Sequence, residues 1–411
     1  MIQKPRGTRD FLPDEMEQRR AVEKRMRDVA RCWGYREVCT PEFEELELFT
    51  ARSGEGIIEE MYVFEDKGGR MMALRPEITA AVQRMYLNEA RVTPKPLRWC
   101  YFADCFRYER PQKGRYRQFW QFGVELIGAD TPVADAEVIM LARDLLQSSG
   151  VSFSLHIGHL SFMKALLSDM DVKEQRILMR YLDKKDHEGL KSHLGRAGRA
   201  ELGSSLLALL ECRTLDEVIG ITGKIPEYER IEETLGLLDD MDIRYSLDPG
   251  IARGLDYYTG MVFEAFADNL GAENQILGGG AYRLAHLFGG DEVPSSGFAI
   301  GFDRVMVSLG DSEGETERVV GIVYTPDTRT YALRAARAFR EAGLRTETDI
   351  MGRSIGAQIA HASKSAQFVA IIGRRERESG TVTLKNLDTG DQRELDLSTA
   401  VREVVTSGPR G

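Results

Sequence analysis

Two stretches of this 411-residue chain concentrate side chains that act on charge. RGLDYYTG, at 253–260, sets Arg253 and an acid beside two adjacent phenols, Tyr257 and Tyr258, between glycines. Bulky aromatics next to glycine mark a place where something approaches the backbone closely. FRYERPQKGRYRQFWQFGVELIG, at 106–128, reads as an antiparallel hairpin with a long polar connection. Period 2 sorts its residues. Phe119, Gln121, Gly123 and Glu125 share one face of the second strand, and Trp120, Phe122, Val124 and Leu126 share the other, the core face. Arg107 and Glu109 share a face of the first strand. The result is a polar platform with an aromatic for stacking and a glycine for clearance. A solvated sheet face has the same pattern. The cations of the connection, Arg110, Lys113, Arg115 and Arg117, favour a polyphosphate or a nucleic-acid backbone as its ligand.

Three further segments carry weaker signals. In LRPEITA, at 74–80, Glu77 and Thr79 project together if the backbone is extended, a carboxylate beside a hydroxyl suited to an ammonium group; a helix start after Pro76 explains them equally well. ILGGGAYR, at 276–283, places a triple glycine before Tyr282, either for close approach of a ligand or as a flexible turn. SSGFAIGFDRV, at 295–305, runs from a glycine-spaced strand into a helix bearing Arg304, a phosphate contact or a surface ion pair. No GxxxxGK[ST] or GxGxxG loop is present. His156 and His159 have metal-like spacing without acidic or thiol company, which points to structural roles. Metal ligands are therefore not expected among the side chains.

The elements that must position these groups fall into regions. Residues 14–33 read as an amphipathic helix entered through Pro13, with Val22, Met26, Val29 and Ala30 on one face. Residues 37–40 and 97–128 read as strands with turns, and 135–148 as helix. Residues 161–238 have few strand signals and many helix formers, a helical insertion. Glycine-rich β signals resume at 244–301, and LGDSEGETE is a polar linker. Beyond it strands and helices alternate: VVGIVYTP, a helix over 330–342, LRTETDI, a helix over 354–363, QFVAIIG. This is a small α/β domain with a mostly parallel core.

Bulk properties set limits. The chain is 42% hydrophobic and 29% charged, ordinary for a soluble globular protein. Cysteines at 32, 39, 100, 105 and 212 show no CxxC spacing, which argues for a reducing compartment. The start has no signal-peptide run and no stretch approaches a membrane span, so a cytoplasmic location without membrane attachment is expected. Net charge is −10, but residues 318–411 carry 15 Lys and Arg against 11 Asp and Glu, leaving −14 for the remainder. A local cationic surface matters more to a polyanion than total charge.

In their order and context these segments resemble a class II aminoacyl-tRNA synthetase, most closely the histidyl-tRNA synthetase family. RGTRDFLPDE resembles motif 1, FRYERPQKGRYRQFWQFGVE motif 2 and GFAIGFDRV motif 3; RGLDYYTG followed by VFE is similar to the histidine-specific signature. Two departures stand out. GGGAYRLAH has Ala281 where the family usually has Arg and Arg283 where it has Asp, while Asp303 replaces the commoner Glu of motif 3.

The resemblance implies an α+β catalytic domain with an antiparallel six-stranded sheet, in two parts, 1–160 and 239–308. The helical insertion occupies 161–238, the linker 309–317, and an α/β anticodon-binding domain 318–411. It implies L-histidine, ATP with Mg2+, and tRNA(His) as ligands, and a homodimer formed through the motif 1 region. Arg107 and Arg253 would be catalytic, holding the α-phosphate. Glu77, Thr79, Gln121, Glu125, Tyr257, Tyr258 and Tyr282 would bind histidine. Arg107, Glu109, Arg115, Phe119 and Arg304 would bind ATP. Gln112, Lys113 and Arg115 would meet the tRNA acceptor end, and Arg374, Arg375 and Arg377 are candidate phosphate contacts, an exposed charged turn fitting them equally. A related class of proteins, regulatory subunits of ATP phosphoribosyltransferase, senses histidine without catalysis; these typically lack the anticodon domain and a complete RGLDYYTG.

Overall fold

The computed structural model describes residues 1–53, 55–183, 186–251, 258–310 and 319–407. They belong to two compact units, Met1–Ser312 and Glu313–Gly411. The first opens with helix α1 (Pro13–Cys32), whose proline sits where a helix has no use for the missing N–H. Val22, Met26 and Ala30 are buried on one side, as the 3.6-residue period requires, with Val29 packed beside them. Strand β1 (Arg36–Glu37) follows, then a small antiparallel sheet of β2 (Phe43–Glu45), β3 (Val63–Glu65) and β4 (Met71–Leu74) in the order β2-β4-β3. Helix α2 (Leu46–Ser53) lies between β2 and β3, and α3 (Thr79–Met85) follows β4.

The main sheet adds β5 (Leu97–Phe106), β6 (Gln118–Ile127), β7 (Ser154–His159), β8 (Ser246–Leu247), β9 (Tyr258–Phe266), β10 (Gln275–Tyr282) and β11 (Ser295–Gly301), in the order β1-β5-β6-β11-β10-β9-β7-β8. The six central strands are antiparallel to their neighbours, as expected. The sheet nevertheless has eight strands, because β1 and β8 add two-residue parallel edges to β5 and β7. Arg-Glu and Ser-Leu are too short to show alternation, so only a neighbouring strand defines them.

One face of the sheet is covered by α1 and α4 (Pro132–Ser149). Their apolar side chains form one core with Val124, Ile157 and Phe263. The helical insertion comprises α5 (Leu160–Leu167), α6 (Val172–Asp183), α7 (His187–Arg196), α8 (Ala200–Leu210), α9 (Leu215–Thr222) and α10 (Tyr228–Asp240). Its Leu190, Leu194, Leu206 and Leu209 belong to that same core, so the insertion is anchored by apolar burial. Helix α11 (Phe302–Leu309) closes the unit. Over the opposite face lie α3 and the β5–β6 connection.

The second unit holds β12 (Val319–Tyr324), α12 (Arg329–Glu341), β13 (Arg345–Thr348), α13 (Ile355–Ala362), β14 (Phe368–Ile372), α14 (Arg374–Ser379), β15 (Thr381–Asn386), β16 (Gln392–Asp396) and α15 (Leu397–Thr406). Strands β13, β12 and β14 are parallel, matching the alternating pattern; β15 and β16 extend the sheet antiparallel. The parallel half needs helical crossovers, whereas β15 and β16 need only the turn around Gly390.

Candidate active site

The open face of the main sheet is cleared by small residues. Gly123 pairs with Tyr101 across β5 and β6, and a Cβ on it would stand 2.1 Å from the Tyr101 ring. Gly297 pairs with Glu125, and its Cβ would stand 2.3 Å from the Glu125 carboxylate. Glycine at these two positions lets a phenol and a carboxylate lie flat across neighbouring strands. The triple glycine lies within β10 and is not a flexible turn: Phe263 and Phe298 occupy the space at Gly279, and Tyr258 lies against Gly280.

Glu125 is 1% exposed and is the centre of a buried network. The Thr79 hydroxyl donates to its Oε1 at 2.8 Å, and the Tyr282 hydroxyl donates to its Oε2. Gln83, itself fully buried, donates its Nε2 to the Tyr282 oxygen at 3.0 Å. Tyr101 is buried close by, and the loss of water together with the nearby Glu125 and Glu77 charges pushes its phenol well above the ordinary range. Residues 77–79 are not extended. Helix α3 starts at Thr79, and Glu77 accepts from the Ala80 N–H at 3.2 Å, capping that helix. The local gain of satisfying a helix N–H overrides the extended reading. Sequence reasoning missed Gln83. Its signal is visible once α3 is a helix, because Thr79 and Gln83 are four apart and face the same side.

Beside this network lies a cleft of about 240 Å³ lined by Arg107, Glu109, Arg115, Phe119, Gln121 and Arg304, among others. Strand β5 ends at Phe106, so Arg107 and Glu109 are not on its face. The Glu109 N–H donates to the Arg107 carbonyl at 2.9 Å, turning the chain so that both side chains still reach the cleft. Arg107 donates to the Pro76 carbonyl at 2.9 Å, with its guanidinium 5.1 Å from the Phe119 ring centre. Arg115 pairs with Glu109. Arg304 donates to the Gly114 carbonyl at 3.2 Å and to the Gln275 carbonyl at 2.6 Å, bridging the β5–β6 connection to β10. Gln112 and Arg115 close that connection by reciprocal backbone bonds of 3.1 and 2.9 Å, leaving Gln112 and Lys113 exposed at the tip. Gln121, half-buried, accepts from the Cys105 thiol.

In the cleft wall, Asp303 is 3% exposed and joins three segments. It accepts from Arg19 of α1 at 2.8 Å and from the Trp120 backbone N–H at 2.6 Å. Burial pushes its carboxyl up, and the Arg19 charge opposes the shift. Arg19 stacks on Phe11, Trp120 and Phe302 at 4.2–5.1 Å. Arg75 is likewise a buried staple, donating to Asp104 and to the carbonyls of Thr40 and Pro41.

Arg253 and Tyr257 lie outside the described residues. Tyr258 is described, half-buried, beside Gly280. Arg283 pairs with Asp130 and Glu292, away from the Glu125 network. His156 meets Asp248 at 3.2 Å, while His159 accepts from the Ser161 N–H and caps α5; three residues apart on a strand, they point to opposite faces. Burial lowers the His159 pKa to about 3. Among the described residues no group of three or more His, Cys, Asp or Glu side chains is placed to hold a metal, and no helix is long and apolar enough to cross a membrane. Arg374, Arg375 and Arg377 are exposed and each faces an acid, Asp327, Glu394 and Glu378 respectively; they lie on helix α14, so the reading as a turn is corrected.

Residues 7–305 match the family model described as histidyl-tRNA synthetase, and residues 318–407 match that described as anticodon binding domain. A protein of Methanoregula boonei named histidine--tRNA ligase is 68% identical over 410 residues, covering 100% of both chains. Among solved structures, the apo histidyl-tRNA synthetase of S. aureus has a TM-score of 0.74 at 29% identity, over 98% of this chain and 100% of that one. A protein from Bacillus halodurans, titled an ATP phosphoribosyltransferase regulatory subunit/histidyl-tRNA synthetase, has a TM-score of 0.79 at 26% identity, over 91% and 98%.

Proposed function

This chain belongs to the histidyl-tRNA synthetase family, and from that premise we propose that it activates L-histidine with ATP and transfers it to tRNA(His). The observation that carries the reading is the buried Glu125, held by Thr79 and Tyr282 beside an arginine-lined cleft. A fixed carboxylate accepts from an imidazole N–H, and the cleft accepts a polyphosphate. The histidine carboxylate attacks the α-phosphorus of ATP, its oxygen forms the new bond to phosphorus, and pyrophosphate leaves. The enzyme needs no nucleophile of its own; it positions the two reactants and neutralises charge that builds on the phosphoryl oxygens.

Arg107 and Arg253 are assigned to the α-phosphate, since a planar guanidinium holds two oxygens at once. Glu109, Arg115, Phe119 and Arg304 are assigned to the rest of ATP. Binding requires the nucleotide to replace the Arg115–Glu109 pair and to share the Phe119 ring with Arg107. Gln121, Tyr257, Tyr258 and Tyr282 complete the histidine pocket, with Glu77 and Thr79 at the ammonium end. Mg2+ would neutralise the phosphates. The carboxylates of the cleft, Glu109 and Asp303, already face arginines, which fits an ion held chiefly by phosphate oxygens and water.

The exposed tip, Gln112 and Lys113, with the half-buried Arg115 beside it, suits the acceptor end of tRNA, and the second unit suits the anticodon, where single-stranded bases are splayed and stacked. A cytoplasmic homodimer is the expected working form, tested by light scattering. The test of function is histidine-dependent exchange of pyrophosphate into ATP, with histidine binding followed by calorimetry. Exchange that collapses in Arg107→Ala while histidine still binds supports adenylate chemistry. Histidine binding without exchange from a folded native chain would favour a regulatory, non-catalytic role instead.

A further inference from the structure

Resting on the reading of this pocket as the histidine site, we propose that Gln83 is a positioning residue that sets the hydrogen-bond polarity of the pocket and so its selectivity for a ring bearing N–H. A carboxylate only accepts, a carboxamide nitrogen only donates, and a phenol has one proton. With Gln83 Nε2–H donating to the Tyr282 oxygen and Tyr282 donating to Glu125, the direction of the chain is fixed from end to end. The opposite amide orientation would offer Oε1 to the phenol and compete with Glu125 for its single proton. In the orientation seen, Gln83 Oε1 is buried without a partner among the described residues. That orphan costs free energy which an apolar side chain would avoid. The amide is therefore placed for its N–H.

The consequence falls on the ligand. With the Tyr282 proton committed to Glu125, this part of the pocket presents acceptor character to the ring. An imidazole, which carries an N–H, satisfies it. A thiazole of the same shape, which only accepts, leaves buried groups unmatched, the condition under which polar sites discriminate most strongly. Removing the Gln83 N–H frees the Tyr282 hydroxyl to turn and donate to such a ring.

The test uses the full chain in pyrophosphate exchange, comparing native, Gln83→Met, Tyr282→Phe and the double variant, with histidine, thiazolylalanine and ATP each varied. Methionine is unbranched and of similar length, and Gln83→Leu is the second variant if Gln83→Met fails to fold. The expected result is a histidine KM raised roughly tenfold by loss of one buried donor, an unchanged ATP KM, and a smaller preference for histidine over thiazolylalanine. In the Tyr282→Phe background the Gln83 change should add nothing, because its only route is the phenol. A native histidine KM and native selectivity in the variant would overturn the proposal, as would an equal penalty in both backgrounds. A native chain with no exchange would defeat the synthetase reading instead; the same four proteins in histidine calorimetry would then still test the network, with Kd in place of KM.

Discussion

The two halves of the site are built differently. The Glu125 half is sealed: Gln83, Thr79, Glu125 and Tyr282 are all at most 9% exposed and are hydrogen-bonded in a chain across α3, β6 and β10. The arginine half is open. Its cations are half-buried and rest on main-chain carbonyls or on Glu109, partners that a phosphate displaces. The difference fits the ligands proposed for the two halves. Discriminating a small neutral ring needs polar groups of fixed direction in a dry pocket. Holding a polyphosphate needs strong charge that remains accessible.

If that contrast is right, the largest loss should come from the sealed half. Glu125→Gln replaces a pure acceptor by a side chain that also donates, against two hydroxyl donors. We expect histidine kcat/KM in pyrophosphate exchange to fall roughly 10³-fold, the loss of two charge-assisted bonds, with ATP KM little changed. A modest effect would mean the pocket is not the histidine site. Arg107→Ala should cut kcat by roughly 10²–10³, the usual penalty for one transition-state donor, while calorimetric histidine affinity stays native. Arg304→Ala should be milder and confined to the nucleotide, an ATP KM raised about 10–100-fold from one charge-assisted contact; an equal rise in histidine KM would show that the halves are coupled.

The effect furthest from the ligands concerns the sheet behind both halves. His159, with its pKa lowered to about 3 by burial, stays neutral in the fold and is protonated first in the unfolded chain. Stability from this group is complete above about pH 6.5 and falls as pH drops toward 3, by roughly 1.4 kcal/mol per pH unit. His159→Asn keeps a cap acceptor for α5 and lacks the titration. Its Tm should fall less steeply with acid than that of the native chain; parallel curves would remove His159 from the account.

The sequence was most legible where a pattern repeats. The β5–β6 hairpin, its core face, the helical insertion and the alternation of the second unit are all readable from period 2 or 3.6, because burial on one face imposes that period. It was least legible where a local choice was close. Pro76 and Glu77 admit either an extended segment or a helix start, and the choice decides whether Thr79 faces Gln83. Edge strands of two residues carry no period at all.

By itself, then, the sequence determined the chemistry available: which strand face is polar, where the cations cluster, and which motifs accompany one another. Only the tertiary structure decided how those groups are used. Tyr282 reaches Glu125 across 157 residues of chain, Asp303 ties Arg19 to the Trp120 backbone, and Gln83 of α3 donates to a phenol on β10. The direction of a hydrogen bond depends on what stands opposite, and that partner is set by packing rather than by neighbours in sequence.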